Sequence, residues 1–279
     1  MRWTPGGRSR NIEDRRASGG GVRMAGMGLG GVVLIVLSLL FGQNLLDDGG
    51  AAPPVASTSE GAVQETPEEQ RLVEFVSFVL DDVQGTWQQV LPRAGVAYSD
   101  ARLVLFRDMV QSGCGVGQSA MGPFYCPLDQ RVYIDLGFFD ELRRRFGAPG
   151  DFAQAYVLAH EIGHHVQHVL GTDARVREMQ ERRPGIANEL SVRMELQADC
   201  YAGVWGHSTD QRRLLEAGDV DEALGAAAAV GDDRIQQRTQ GGVNPESFTH
   251  GTAEQRATWF RRGFGSGDPE ACDTFAAGV

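Results

Sequence analysis

The sequence predicts an α+β domain, mainly helical with a small sheet, preceded by one transmembrane helix. Three observations carry this expectation. Apolar residues recur at threes and fours from Pro67 onward, as in Leu72, Val73, Phe75, Val76, Val79 and Val83. Two short runs, 102–107 (RLVLFR) and 131–135 (RVYID), read as strands. Residues 24–46 contain no charged side chain, and that length suffices for a helix to cross the hydrocarbon core of a bilayer.

Taken in order, residues 1–23 carry Arg2, Arg8, Arg10, Arg15, Arg16 and Arg23 against Glu13 and Asp14. They read as a cytoplasmic basic tail, and 24–46 as a single-pass membrane anchor. The positive-inside rule then places the N-terminus in the cytoplasm and the body in the periplasm or outside the cell. A cleaved signal peptide is the alternative for the apolar stretch. Residues 47–66, rich in Gly, Pro, Ser, Thr and acid, read as a flexible linker. Residues 67–279 form the folded domain. Within it, a Gly- and Cys-rich stretch at 113–127 joins the two strands, and 137–146 reads as a short helix. A long helix starts after Pro149-Gly150, with Asp151 as N-cap and Gln154 in the reciprocal position, and runs to about Leu170. Another covers roughly 188–206, after the break at Pro184-Gly185. Further helices start at Asp219 and at Thr252, each with a partner three residues on, Glu222 and Gln255.

The chain carries a formal charge of −11, although its first 23 residues are net positive. The body is therefore strongly acidic, which argues against a nucleic-acid partner. There are four cysteines. In an exported body disulfides are permitted. Cys114 with Cys126 is the local pairing, and Cys200 with Cys272 would then tie the C-terminus to the core. Reduced thiols buried as small apolar groups are the alternative.

The chemistry concentrates on His160-Glu161-Ile162-Gly163-His164. Histidines four apart on a helix leave one face about 40° apart, so two imidazoles can meet one Zn²⁺. Glu161 lies beside the first ligand and can take the proton of a metal-activated water without ligating the metal. A catalytic zinc takes a third protein ligand. His168 is one candidate, but Gln167 stands where the extended motif needs a turning Gly. His165 turns about 100° away from His164 and reads as exposed. The better candidate is Glu195, on the second long helix. Asp199, one turn further, can accept a hydrogen bond from the far nitrogen of a ligand His.

HExxH followed by ExxAD resembles the gluzincin class of zinc peptidases. The fuller set of strings resembles the bacterial putative neutral zinc metallopeptidase family: Met1-Arg2-Trp3, Arg15-Arg16, Gly122-Pro123-Phe124-Tyr125-Cys126-Pro127, Val132-Tyr133-Ile134-Asp135, HEIGHH at 160–165, ELQADCYAGVW at 195–205, and Phe248-Thr249-His250-Gly251. The resemblance implies a zincin-like metallopeptidase domain holding one Zn²⁺ and hydrolysing peptide bonds in a peptide or protein substrate. It implies that His250 stabilises the oxyanion and that Arg256, six residues on, pairs with a site carboxylate. It also implies that Gly122, Pro123, Phe124 and Tyr125 form a sheet edge along which substrate adds as a strand. A membrane-anchored binding or assembly protein with a non-catalytic zinc is the competing reading.

Overall fold

The computed structural model describes residues 1–17, 63, 65–146 and 150–276. The expected anchor (24–46) and most of the expected linker (47–66) lie outside these residues. Among the described residues, no helix is long and apolar enough to cross a membrane.

The architecture is mainly helical with a small sheet. The first helix, α1 (Pro67–Val90), opens on a capping box in which Thr66 and Glu69 exchange bonds, with Pro67 at the first position. Its buried face is Val73, Val76, Val79, Leu80, Val83 and Trp87, spaced at threes and fours. The sheet has the order β1 (Ile12–Asp14), β2 (Arg102–Phe106), β6 (Arg131–Asp135), β5 (Phe124–Cys126). The first three run parallel, and β5 is antiparallel to β6 at one edge. A separate hairpin, β3 (Met109–Ser112) with β4 (Gly115–Gln118), stands between β2 and β5 in sequence. Cys114, in its turn, is bonded to Cys126.

After α2 (Gly137–Phe146) comes α3 (Asp151–Val169), packed between α1, α5 (Ala187–Gln211) and α6 (Asp219–Ala229). The short α4 (Thr172–Arg182) turns the chain from α3 into α5. Next follow α7 (Asp232–Gln240) and α8 (Ala253–Ser266), the latter opening on the expected Thr252–Gln255 capping box. The second disulfide, Cys200–Cys272, straps the C-terminal segment to α5. Helices α5 and α8 cross closely because each offers a glycine at the contact. A Cβ on Gly263 would sit 1.9 Å from the Cys200 carbonyl oxygen, and one on Gly203 would sit 2.1 Å from that of Phe260.

The structure corrects one expectation here and adds one contact surface. Asp151 is not the N-cap of α3. Gly150 holds that position, and the first-turn amide of Phe152 donates instead to Glu222 of α6 at 3.2 Å. Of the residues expected to form the basic tail, 1–17 are described, and they pack on the body. Strand β1 pairs with β2 in the register Ile12 to Leu103, and the Trp3 ring packs on Phe75 and Phe78. Arg16 is buried between Asp14 and Glu65, and the Met1 amino group lies 2.5 Å from Asp151. Local sequence did not announce this, because β1 owes its formation to a distant partner strand.

Candidate metal centre

The site is made where α3 crosses α5. Gly163 permits the approach: a Cβ there would lie 2.9 Å from the Ala198 carbonyl oxygen. The two helices thus come close enough for Glu195 and Asp199 to reach His160, three residues before Gly163, and for Glu195 to reach His164, next to it. His160 Nε2 lies 3.2 Å from one Glu195 carboxylate oxygen, and His164 Nε2 lies 3.3 Å from the other. Ligand bonds of 2.0–2.1 Å in a tetrahedron separate donor atoms by about 3.3 Å, so these spacings fit a single zinc ion. Two imidazoles and a carboxylate, with one face open to a cleft, are also the donor set of a catalytic rather than a structural zinc.

Both ligand rings are oriented from behind. His160 Nδ1 lies 2.8 Å from Asp199. Asp199 is fully buried and also accepts from Arg256, with Nε at 2.8 Å and an Nη at 3.0 Å, and from the Tyr156 hydroxyl. Arg256 is the expected partner of a site carboxylate, and that carboxylate is Asp199. Burial alone would push the Asp199 carboxyl up, but Arg256 and His160 outweigh it and hold the group below its usual range. Burial would likewise pull His160 down, but Asp199 and Glu195 raise it to about 10. A cation among the three donors would take the place of that proton. His164 Nδ1 faces Gln167 Oε1 at 2.8 Å.

Glu161 lies beside the ligands and lines the cleft, almost completely buried. Burial raises its pKa against the opposing pull of His160 and His164, the direction a proton acceptor working near neutral pH requires. The cleft encloses about 730 Å³. Its walls include Gly122, Pro123, Phe124 and Tyr125, on and just before the edge strand β5, together with Phe138, Ile235 and His250. The ring of His250 is half exposed and bonded to Asp232 at 3.2 Å. That bond is the main cause of its raised pKa, and the charge of Glu195 adds to it. Asp232 also accepts from the backbone amides of Thr249, His250 and Gly251, which fixes the loop that presents His250.

Some placements differ from the sequence reading. His165 is not exposed. It is fully buried, with Nε2 2.6 Å from the Ser99 carbonyl oxygen and Nδ1 2.9 Å from the Tyr125 hydroxyl. Since a carbonyl only accepts, Nε2 carries the proton and Tyr125 donates to Nδ1, so His165 pins the edge strand to α3. His168 turns instead to Asp173, at 2.8 Å. Tyr156, Gln167 and Asp232 escaped the sequence reading. The first two carried a signal, because Tyr156 precedes His160 by one turn and Gln167 follows His164 by one.

The chain is 49% identical over 288 residues to "Uncharacterized protein YpfJ" of Escherichia coli (strain K12), covering all of both chains. It is 45% identical over 208 residues to "Uncharacterized protein Mb2605" of Mycobacterium bovis, covering 71% of this chain and 68% of that one. "Uncharacterized protein Rv2575" of Mycobacterium tuberculosis shows the same identity and coverage. No solved structure matches. The sequence model of one family, with zinc as the implied cofactor, matches residues 1–275, so the chain belongs to the family described as "Putative neutral zinc metallopeptidase".

Proposed function

We propose that this protein is a membrane-associated, zinc-dependent endopeptidase with a zincin-like fold. The observation that carries the reading is the donor triangle of His160, His164 and Glu195 at zinc-tetrahedron spacings, with the buried carboxylate of Glu161 beside it in an open cleft. When bound, zinc acidifies a water and polarises a carbonyl. Glu161 takes the proton of the attacking water, holds it on a carboxyl oxygen and passes it to the departing amine nitrogen. His250 donates toward the carbonyl oxygen as that atom gains negative charge. The substrate lies extended along the open edge of β5, exchanging main-chain hydrogen bonds with it.

The body works in an oxidising compartment, a placement supported by the two disulfides. Residues 24–46 attach it to the membrane. Because residues 1–17 pack on the body, both flanks of that stretch belong on the same side, and 23 residues are too few to cross a bilayer twice.

The test uses the full chain in detergent, since a fragment starting at residue 47 would lack β1. Incubated with a mixed peptide library, the protein cleaves, loses cleavage with a chelator and regains it with zinc. Glu161→Gln keeps stoichiometric zinc and loses turnover. Retained cleavage in that variant removes Glu161 as the base. Stoichiometric zinc without any cleavage by the wild type favours the non-catalytic binding protein.

A further inference from the structure

We propose that Gln167 is a positioning residue for the second zinc ligand, and that a buried amide relay from Gln167 to Gln197 sets the tautomer of His164 and its spacing from Glu195. The inference rests on the zinc site above, although not on peptide cleavage.

Gln167 is fully buried on α3, one turn after His164. Its amide has one reading. Nε2 lies 2.7 Å from the Met194 carbonyl oxygen and 3.1 Å from Gln197 Oε1. The Met194 carbonyl can only accept, so the NH₂ end must point there, and Oε1 is left facing His164 Nδ1 at 2.8 Å. Gln197 is held in turn, its own Nε2 donating to the Cys272 carbonyl oxygen at 3.0 Å, on the segment strapped down by the Cys200–Cys272 disulfide. Each amide is thus oriented by the next. An acceptor at Nδ1 requires the proton of neutral His164 to sit on Nδ1, which leaves the Nε2 lone pair aimed at Glu195 and the metal position.

The same amide grips the backbone of Met194, immediately before Glu195. A single side chain therefore joins the helix that supplies His164 to the helix that supplies the third ligand. The two histidines are held by different chemistry: His160 by a carboxylate paired with Arg256, His164 by a neutral amide. A glutamate at 167 could still accept from His164, but its second oxygen would meet the Met194 and Gln197 oxygens with no hydrogen to offer. Side-chain size and an acceptor for His164 are therefore not sufficient; the amide is.

The experiment is zinc affinity by chelator competition on the full-length protein, for wild type, Gln167→Leu, Gln167→Glu and Gln197→Leu. Thermal unfolding of each metal-free protein controls for folding. Both Gln167 variants bind zinc about 10–100-fold more weakly, the usual effect of removing a group that orients a metal-ligating His. Gln197→Leu, which removes only one of the two acceptors for the Gln167 amide, loses less. Saturating zinc restores peptide turnover in Gln167→Leu with the peptide KM unchanged. Wild-type affinity in Gln167→Leu, or full rescue by Gln167→Glu, overturns the relay. Should Gln167→Leu not fold, Gln197→Leu and Gln167→Glu decide alone: wild-type affinity in both overturns it. A wild type that binds zinc but cleaves nothing would count against the peptidase reading and leave the relay measurable.

Discussion

Replacing Arg256 by Met should cost the fold several kcal/mol, and the structure sets the size. The side chains of Arg256 and Asp199 are 4% and 0% exposed, so water screens neither charge. Arg256 gives Asp199 two charge-assisted bonds and also reaches the Tyr156 hydroxyl and the Val230 carbonyl oxygen, each at 3.3 Å. Breaking a buried pair from one side costs roughly 3–5 kcal/mol, because the remaining charge is left uncompensated. In the metal-free protein at pH 7 the raised pKa of His160 supplies a second cation at Asp199, which puts the loss near the lower end. With zinc bound, the ion's own charge would take the place of that proton behind His160, so the loss stays in the same range. For a domain of about 200 residues this corresponds to a fall in Tm of roughly 6–20 °C. The assay is calorimetric unfolding of the wild type, Arg256→Met and Arg256→Lys, with chelator and with zinc. The Lys variant keeps the charge without the planar fork and falls between the other two. The reasoning fails if Arg256→Met unfolds within about 2 °C of the wild type. It also fails if the double variant Asp199→Asn/Arg256→Met is destabilised by the full sum of the single changes, since groups in one network should be coupled.

Other contacts give further expectations. Removing the Cys200–Cys272 bridge by paired Ala substitutions frees a loop of sequence separation 72, and the chain-entropy model puts the loss at about 4 kcal/mol, to be read from denaturant midpoints; an unchanged midpoint would refute it. Gly263→Ala pushes a methyl into the Cys200 carbonyl and should separate α5 from α8, destabilising by about 1–3 kcal/mol or more; equal stability in urea would show that the crossing adjusts freely. Glu13 has its carboxyl lowered chiefly by its bond to Arg15, and Asp14 is lowered because Arg16 outweighs burial. Depressed carboxylates stabilise above their unfolded values, near pH 4, and lose that contribution as pH falls through the folded values. Stability should therefore drop more from pH 5 to pH 2 in the wild type than in Glu13→Gln/Asp14→Asn, and parallel profiles would dismiss the contribution. Single-cysteine reporters at the exposed positions Arg10 and Arg213 should react equally with a membrane-impermeant maleimide in intact cells; protection of Arg10 alone would restore the cytoplasmic tail.

How much of this could be read beforehand depended on whether the signal was local. The Thr252–Gln255 cap and the helix carrying both histidines follow from spacing, whereas the edge strand near 122–125 was expected only from the family resemblance. Strand β1 did not, because Ile12-Glu13-Asp14 lies among charges and becomes a strand only by pairing with β2, about ninety residues on. The cap of α3 was misread because it lies one residue earlier, at Gly150, and the first-turn amide of Phe152 is met by a distant carboxylate, Glu222.

The error over His165 has a more general cause. Helical periodicity assigns a residue to a face, but it says nothing of how many faces are covered. Helix α3 packs against α1, α5 and α6, and the edge strand β5 also reaches it, so a turn of 100° away from the zinc ligands leads into more protein and not into water. On such a helix a polar side chain can persist only if something satisfies it. The polar residues of α3 then have to be read together. Tyr156 and His160 meet at Asp199, His164 meets Gln167, and His165 holds Tyr125 of the edge strand. Glu161 is the exception: burial desolvates its carboxylate beside the three donors and raises its pKa, as the proposed proton transfer requires. Tyr156, His160, His164 and Gln167 thus surround the donor site and His165 braces the strand beside it, while Asp151 and His168 serve the Met1 amino group and Asp173. A helix covered on so many sides exposes its function through the polar residues it keeps.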